Sequence, residues 1–278
     1  MKTDNTISKL VNRLKEINGV NAIVLGGSRA RGSHNEHSDI DIGIYYDSGK
    51  GLDIAGLQQA AAELDDAGRL NLITEIGSWG PWINGGGWLV VDRYPVDILY
   101  RDLSKVSAVM QQCHSGKITV DYQPGHPHGF INAIYFSEIA LCQVLWDPSG
   151  IVGEMKAKTI PYPAELKQAM IQTFLWEAAF SLDTGRKGIY KSDLAYVAGC
   201  CFRSISCLNQ VLFAVNECYW MNEKGAAAIA DSFRMAPRHY AERVNQIISL
   251  IAEDRERLET SLSELSDLIE ETKAFVKI

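Results

Sequence analysis

Gly26-Gly27-Ser28-Arg29-Ala30-Arg31-Gly32-Ser33 reads as a small, hydroxyl-bearing turn, and Ser38-Asp39-Ile40-Asp41-Ile42-Gly43-Ile44 follows at once. Asp39 and Asp41 are two apart, so on a strand both carboxylates point to one face. Ile40, Ile42 and Ile44 then point to the other, which reads as the buried one. Two adjacent carboxylates repel, and each is costly to leave charged and unpaired. A divalent cation removes that cost, and an all-oxygen donor set suits Mg²⁺ or Mn²⁺ rather than zinc. The turn before them offers backbone N–H groups of Gly27, Ser28 and Arg29 as a cradle for phosphate oxygens. A phosphate cradle beside a metal-binding carboxylate pair implies chemistry on a metal–triphosphate.

A third carboxylate stands out further on. Val96-Asp97-Ile98-Leu99-Tyr100 sets one acid inside an apolar run, where a lone charge is expensive unless paired or metal-bound. The bland alternative is a salt bridge from Asp97 to Arg93 or Arg101. A glycine-rich turn or an Asp-x-Asp alone is common; together, in this order and flanked by the apolar runs Val20–Leu25 and Ile40–Tyr46, they are specific. The chain has no Gly-Lys-Ser/Thr, so it is not a P-loop protein, and Gly26-Gly27 followed by Gly32 does not fit G-x-G-x-x-G.

Gly27-Ser28, an Arg-rich bridge and Asp39-x-Asp41 resemble the signature of the DNA polymerase β-type nucleotidyltransferase superfamily. Within it the chain is most similar to the small-molecule branch, the aminoglycoside and lincosamide nucleotidyltransferases, which confer antibiotic resistance. The motifs cover roughly residues 20–46 and 94–100; the remainder matches only in layout. The resemblance implies an α+β fold: a polymerase β-like catalytic domain over 1–160, with a mixed sheet and flanking helices, and a helical bundle over 161–278. It implies Mg²⁺-dependent transfer of NMP, AMP from ATP being expected, to a hydroxyl of a small acceptor, with release of pyrophosphate. Asp39, Asp41 and Asp97 would hold two Mg²⁺ ions (Mn²⁺ being an alternative), with Asp97 also the general base. Gly27, Ser28 and Arg31 would meet the triphosphate. Lys224, in Asn222-Glu223-Lys224-Gly225, matches the layout of a triphosphate-binding lysine of the second domain. Glu177 and Asp183, on an aromatic-rich helix, would contact a cationic acceptor. A protein- or RNA-directed transferase and a non-catalytic nucleotide-binding module stay open as alternatives.

Composition narrows the acceptor. The chain has 278 residues, 46% of them hydrophobic, enough for two ordinary domains. Residues 1–160 carry 14 basic against 18 acidic side chains and residues 161–278 carry 13 against 16, which makes up the net charge of −7. Neither half has the basic excess of a nucleic-acid binder, so a small or cationic partner is expected rather than DNA or RNA. The N-terminus reads as an amphipathic helix rather than a signal peptide, and no apolar run is expected to span a membrane, which places the chain in the cytoplasm. The six cysteines show no paired spacing with histidines; they read as buried small hydrophobes in a reducing compartment, four of them on one helix over 191–219. A homodimer is allowed by the resemblance and is not readable from the residues.

The elements expected to position these groups follow from periodicity and breakers. A first helix spans 3–17, strands span 20–25 and 40–46, and a second helix spans 53–67 behind an Asp53 cap. Strands are expected at 70–76, 88–91 and 94–100, with Trp79, Trp82 and Trp88 forming a local core or, alternatively, lining the cleft. Helices at 102–113 and 130–142 flank a loop carrying His126 and His128, for which no third metal partner has useful spacing. Ile160-Pro161-Tyr162-Pro163 marks the boundary. Helices at 164–183, 191–219, 224–232, 239–254 and 257–276 then fit an antiparallel bundle.

Overall fold

The computed structural model describes residues 2–32, 34–35, 38–191 and 193–276; Ser33 of the glycine-rich turn lies outside them. The elements run α1 (Lys2–Leu14), β1 (Val20–Leu25), α2 (Gly27–Arg31), β2 (Ile40–Tyr46), α3 (Ile54–Leu64), β3 (Gly86–Val91), β4 (Tyr94–Asp102), α4 (Leu103–His114), β5 (Val120–Asp121), β6 (Phe130–Ile131), α5 (Ala133–Leu141), β7 (Gln143–Trp146) and α6 (Ile151–Ala157). They continue with α7 (Ala164–Ile189), α8 (Leu194–Val215), α9 (Ala226–Asp231), α10 (Tyr240–Ser249) and α11 (Arg255–Phe275). The fold is α+β, a mixed sheet with flanking helices followed by a helical region. The chain divides into two compact units: residues 1–111, 121–125 and 132–161, and residues 112–120, 126–131 and 162–278. Two short segments ahead of Pro161 thus belong with the helical unit.

In the first unit the strand order is β3-β4-β2-β1-β7. β2 and β4 are parallel, and the other neighbours are antiparallel. One face is the core. Ile40, Ile42 and Ile44 of β2 and Val96, Ile98 and Tyr100 of β4 are buried with Leu10 and Leu14 of α1 and Leu57, Ala60, Ala61 and Leu64 of α3. The alternation in both strands therefore turns Asp41, Gly43, Asp97 and Leu99 to the other face. Asp53 caps α3 by accepting from the Gly56 N–H, and Asp65 closes its far end, accepting from both Arg69 nitrogens and from Val90 N of β3.

The expected strand at 70–76 does not form; only Ile73 bridges to Gly87. The side-chain amide of Gln58 takes the place of a strand neighbour, donating to Ile73 O at 2.5 Å and accepting from Ile73 N at 3.2 Å. Leu70 stays 76% exposed, so the hydrophobic run reads as a strand but has no sheet position to fill. The glycine-rich turn is likewise not open loop: residues 27–31 make one helical turn, ended by Gly32 in the left-handed region at φ 74°.

The second unit is helical from Ala164 on, among the described residues. α7 and α8 are its longest elements, and α11 packs on them with Leu258, Leu262, Leu265, Leu268 and Ile269 buried. α7 runs six residues past the expected end at Asp183, and α8 stops at Val215, which leaves Cys218 beyond the helix. The expectation about apolar runs also needs correcting: α8 is, by length and composition, long and apolar enough to cross a membrane, with a mean hydropathy of 1.3. Its apolar surface is used internally, since 72% of that window is buried in the unit, as suits the central helix of a bundle.

Candidate active site

The polar face of the sheet brings two of the three expected carboxylates together. Asp41 and Asp97 are register partners on the parallel pair β2/β4, so their side chains leave the same face one strand spacing apart, about 4.8 Å. Both are half-buried. Arg101, one of the two cations that would have explained Asp97 as a plain ion pair, is engaged elsewhere. It is 3% exposed and grips Glu138 of α5 through two hydrogen bonds of 2.6 and 2.7 Å. Its remaining nitrogen donates to Tyr100 O at 3.0 Å.

Asp39 stands differently from the expectation. β2 begins at Ile40, so Asp39 is not on the strand beside Asp41 but in the exposed approach to it. Arg29 holds that approach in place. Its Nε donates to Asp39 O at 2.8 Å, a terminal nitrogen donates to Ser38 O at 2.5 Å, and the guanidinium lies 5.7 Å from the Tyr94 ring centroid. Arg29 thus ties α2 to the backbone that presents Asp39. Arg31, on the same turn, is half-buried, and its Nε has no hydrogen-bond partner among the described residues. Burial lowers its pKa.

Gly27 closes the site from the other side. Its φ is +59°, and an ideal Cβ there would stand 2.5 Å from Asp41 Cγ and closer still to Oδ2. Only a residue without a side chain lets the α2 backbone approach the Asp41 carboxylate this closely. The first bond of the turn runs from Ala30 N to Gly26 O, so the N–H groups of Gly27, Ser28 and Arg29 precede the helical ladder. Gly26 N donates to Asp41 O at 2.8 Å and anchors the turn to β2.

Residues 7–78 match the family model of the nucleotidyltransferase domain; the match begins within α1 and runs past α3 into the loop before β3, with Gly27, Ser28, Asp39 and Asp41 inside it. Those residues are similar to the nucleotidyltransferase domains of the polymerase β-like superfamily. Domains of this family transfer a nucleotidyl group and generally use an NTP with a divalent metal. Comparison with curated protein sequences finds no significant match. Among solved structures, the chain is similar to a nucleotidyltransferase-like protein from Exiguobacterium sibiricum 255-15, at 8% identity and a TM-score of 0.45, over 98% of this chain and 78% of that one. At that score the likeness adds nothing to the assignment.

The first unit has further polar features that the sequence did not announce. The three tryptophans do not form one core. Trp88 is 60% exposed and stacks on Trp79 with centroids 4.5 Å apart, while Trp82 meets Tyr135 edge-on at 5.5 Å. The Lys105 ammonium lies 4.4 Å from the Trp82 centroid and donates to Pro81 O, and burial lowers its pKa. Only the Trp-Gly-Pro-Trp segment signalled such a nest.

Within the helical unit, Glu177 lies on α7 with 14% of its side chain exposed and is bonded by Arg203 of α8. It lines a groove of about 630 Å³ with Trp176, Phe180, Tyr196 and Cys200. Asp183 is exposed and pairs with Arg186 one turn on, at 3.2 Å. Lys224 is exposed ahead of α9, in a turn held by the bond from Lys224 N to Asn222 Oδ1. The expectation that His128 lacks metal-type partners is corrected: its Nε2 is 3.5 Å from Cys207 Sγ, and Glu177 completes a trio whose ligand atoms lie within 4.8 Å of one another. These residues are far apart in sequence, so no spacing rule finds them. Arg203 already holds Glu177, and burial pushes the Cys207 thiol well above its ordinary pKa and lowers that of His128. The trio is thus a neutral thiol and imidazole beside a compensated carboxylate.

Proposed function

We propose that this enzyme transfers AMP from MgATP to a hydroxyl of a small acceptor, cationic or neutral, and releases pyrophosphate. The observation that carries the reading is the register of Asp41 with Asp97 beside a Gly27 backbone that no side chain separates from the Asp41 carboxylate. The donor set is all oxygen, and Gly27 lets the backbone of the turn lie directly against the Asp41 carboxylate, so the residues fit Mg²⁺ by donor type. Asp41 and Asp97 would hold the ions, with Asp39 joining from the approach that Arg29 braces. When bound, the ions supply charge neutralisation at the phosphates and acidify the acceptor hydroxyl.

The chain's own residues do the rest. The backbone of Gly27 and Ser28 cradles the triphosphate and orients its α-phosphorus towards the carboxylate row. Asp97 accepts the proton of the acceptor hydroxyl as general base. Arg31, with its unmet Nε, supports charge on the phosphates. Lys224 as a further triphosphate contact, and Glu177 with Asp183 as acceptor contacts, rest on the resemblance. For Glu177 the bond to Arg203 must open or be shared. Net negative charge in both halves supports a small acceptor over a nucleic acid.

The test is incubation with labelled ATP, Mg²⁺ and a panel of aminoglycosides and lincosamides, in the wild type and in Asp41→Asn. Asp41→Asn is nearly isosteric, so it is expected to keep the thermal midpoint while lowering turnover by roughly a hundredfold or more. Transfer by Asp41→Asn at the wild-type rate refutes the site. Labelling of a protein or a tRNA end, with the panel untouched, replaces the small acceptor with a macromolecular one.

A further inference from the structure

The helical unit gathers three metal-ligating side chains from distant parts of the chain. His128 comes from the segment ahead of β6, Glu177 from α7 and Cys207 from α8, and their ligand-type atoms lie within 4.8 Å of one another. Two of the three are held firmly. His128 N donates to Glu223 Oε1 at 3.0 Å, and its ring lies 6.0 Å from that of Phe174. Cys207 is wholly buried, three residues after Ser204, whose hydroxyl donates to Ala178 O at 2.9 Å and so pins α8 to α7 next to Glu177.

The imidazole is poorly met where it stands. His128 is 6% exposed, and its Nδ1 has no hydrogen-bond partner among the described residues. Its Nε2 has only the Cys207 thiol at 3.5 Å, a weak hydrogen-bonding group. The same separation suits a shared metal ion. With bonds of about 2.3 Å to sulfur and about 2.0 Å to nitrogen, the S–N edge of a tetrahedron is about 3.5 Å. Edges to a carboxylate oxygen are about 3.3–3.5 Å, so Glu177 has at most about 1.5 Å to move, within reach of a rotamer adjustment. Arg203 bonds Glu177 Oε1, yet a carboxylate accepts several bonds, and ligating carboxylates are themselves hydrogen-bonded.

Charge points the same way. The charged groups around His128 are Glu177 and Glu223 against Arg203, an excess of one negative charge while thiol and imidazole are neutral. A divalent ion that displaces the thiol proton to solvent adds one net positive charge and cancels the excess. A cysteine nucleophile activated by His128 is excluded, because no substrate reaches a sulfur with 0% exposure.

We infer that His128, Glu177 and Cys207 bind a single zinc-class transition-metal ion, a site distinct from the carboxylates of the sheet. Thiolate and imidazole ligands favour such an ion over Mg²⁺. Three protein ligands leave one tetrahedral position. Glu177 is the partly exposed member and lines the groove beside Trp176, so water reaches that position from there. The bound ion ties the 126–131 segment to α7 and α8. A ligated Glu177 is not free for the acceptor contact proposed above, but the site does not depend on the nucleotidyl-transfer reading.

The experiment uses the full-length chain, stripped with a chelator, kept in excess Mg²⁺ and titrated with Co²⁺ and then Zn²⁺. The expected result is one tightly bound Co²⁺ with the visible bands of a tetrahedral site and a thiolate-to-cobalt charge-transfer band, all displaced by Zn²⁺. Cys207→Ser, nearly isosteric, abolishes the charge-transfer band and weakens binding by roughly a hundredfold or more. Glu177→Gln and His128→Gln weaken binding as well, whereas Cys200→Ser and Asp41→Asn leave band and affinity unchanged. Circular dichroism checks the fold of each variant, and Glu177→Gln, at the partly exposed position, carries the test if Cys207→Ser does not fold. No Co²⁺ binding, binding without the charge-transfer band, a band that survives Cys207→Ser, or a band lost in Cys200→Ser or Asp41→Asn overturns the site. Turnover insensitive to Asp41→Asn would remove the nucleotidyl-transfer reading and leave this site standing.

Discussion

Gly27→Ala is the sharpest perturbation of the site. The added Cβ would stand 2.5 Å from Asp41 Cγ and 3.3 Å from Asp41 Cβ. Carbon atoms prefer about 3.5–4.0 Å, so the Asp41 carboxyl carbon or the α2 backbone must retreat by about 1 Å. A misplacement of that size in a catalytic constellation costs on the order of 10²-fold in rate. The backbone adds its own cost, because φ is +59° and an L-residue there is strained by roughly 1–2 kcal/mol. For a chain of this size, that corresponds to a fall in the thermal midpoint of about 2–8 °C. Gly26→Ala is the control. Its φ is −111°, and its Cβ would meet Asp41 Cβ at 3.6 Å, an ordinary contact. Turnover by pyrophosphate release and midpoints by calorimetry are measured on both. Gly27→Ala is expected to lose about a hundredfold in kcat and Gly26→Ala to stay within a few-fold of wild type. Wild-type kcat in Gly27→Ala, or equal losses in both variants, refutes the close approach of α2 to Asp41.

Two further predictions concern the scaffold. Asp65 has its side chain hidden from solvent, and its hydrogen bonds from Arg69 hold its carboxyl well below the ordinary 3.8. A depressed carboxyl contributes stability above its unfolded value that is lost as pH falls through that value and on towards the native one. Urea midpoints of the wild type should therefore drop between pH 5 and about pH 2, and Asp65→Asn should be less stable at pH 7 by about 2 kcal/mol with a flatter acid limb; parallel acid limbs would contradict the assignment. Glu138→Ala leaves the guanidinium of Arg101 buried without its carboxylate, for an expected loss of about 3–5 kcal/mol in chemical denaturation; a loss below about 1 kcal/mol would show that Arg101 finds another partner.

Local chemistry made much of this protein legible from its residues alone. The alternation Ile40-Asp41-Ile42 separates a core face from a polar one within three residues, and the structure buries Ile40 and Ile42 and leaves Asp41 on the opposite face. The Asp53 cap, the breaks around Pro161 and the helical periods beyond it are likewise short-range signals, each carried by backbone sterics or by one side chain. What needed the tertiary structure were choices of partner. Asp97 follows Asp41 by more than fifty residues, and only the parallel pairing of β2 with β4 makes them neighbours. Nothing in the sequence names a partner for the Arg29 side chain, and it is the backbone at Ser38 and Asp39 that takes it. Leu70–Ile76 has strand composition, yet Gln58 takes the Ile73 hydrogen bonds that a strand would have used. His128 acquires Cys207 and Glu177 only when the loop packs on α7 and α8. A periodicity is fixed by the geometry of one element, whereas a partner is decided by competition among all the groups that folding brings within reach.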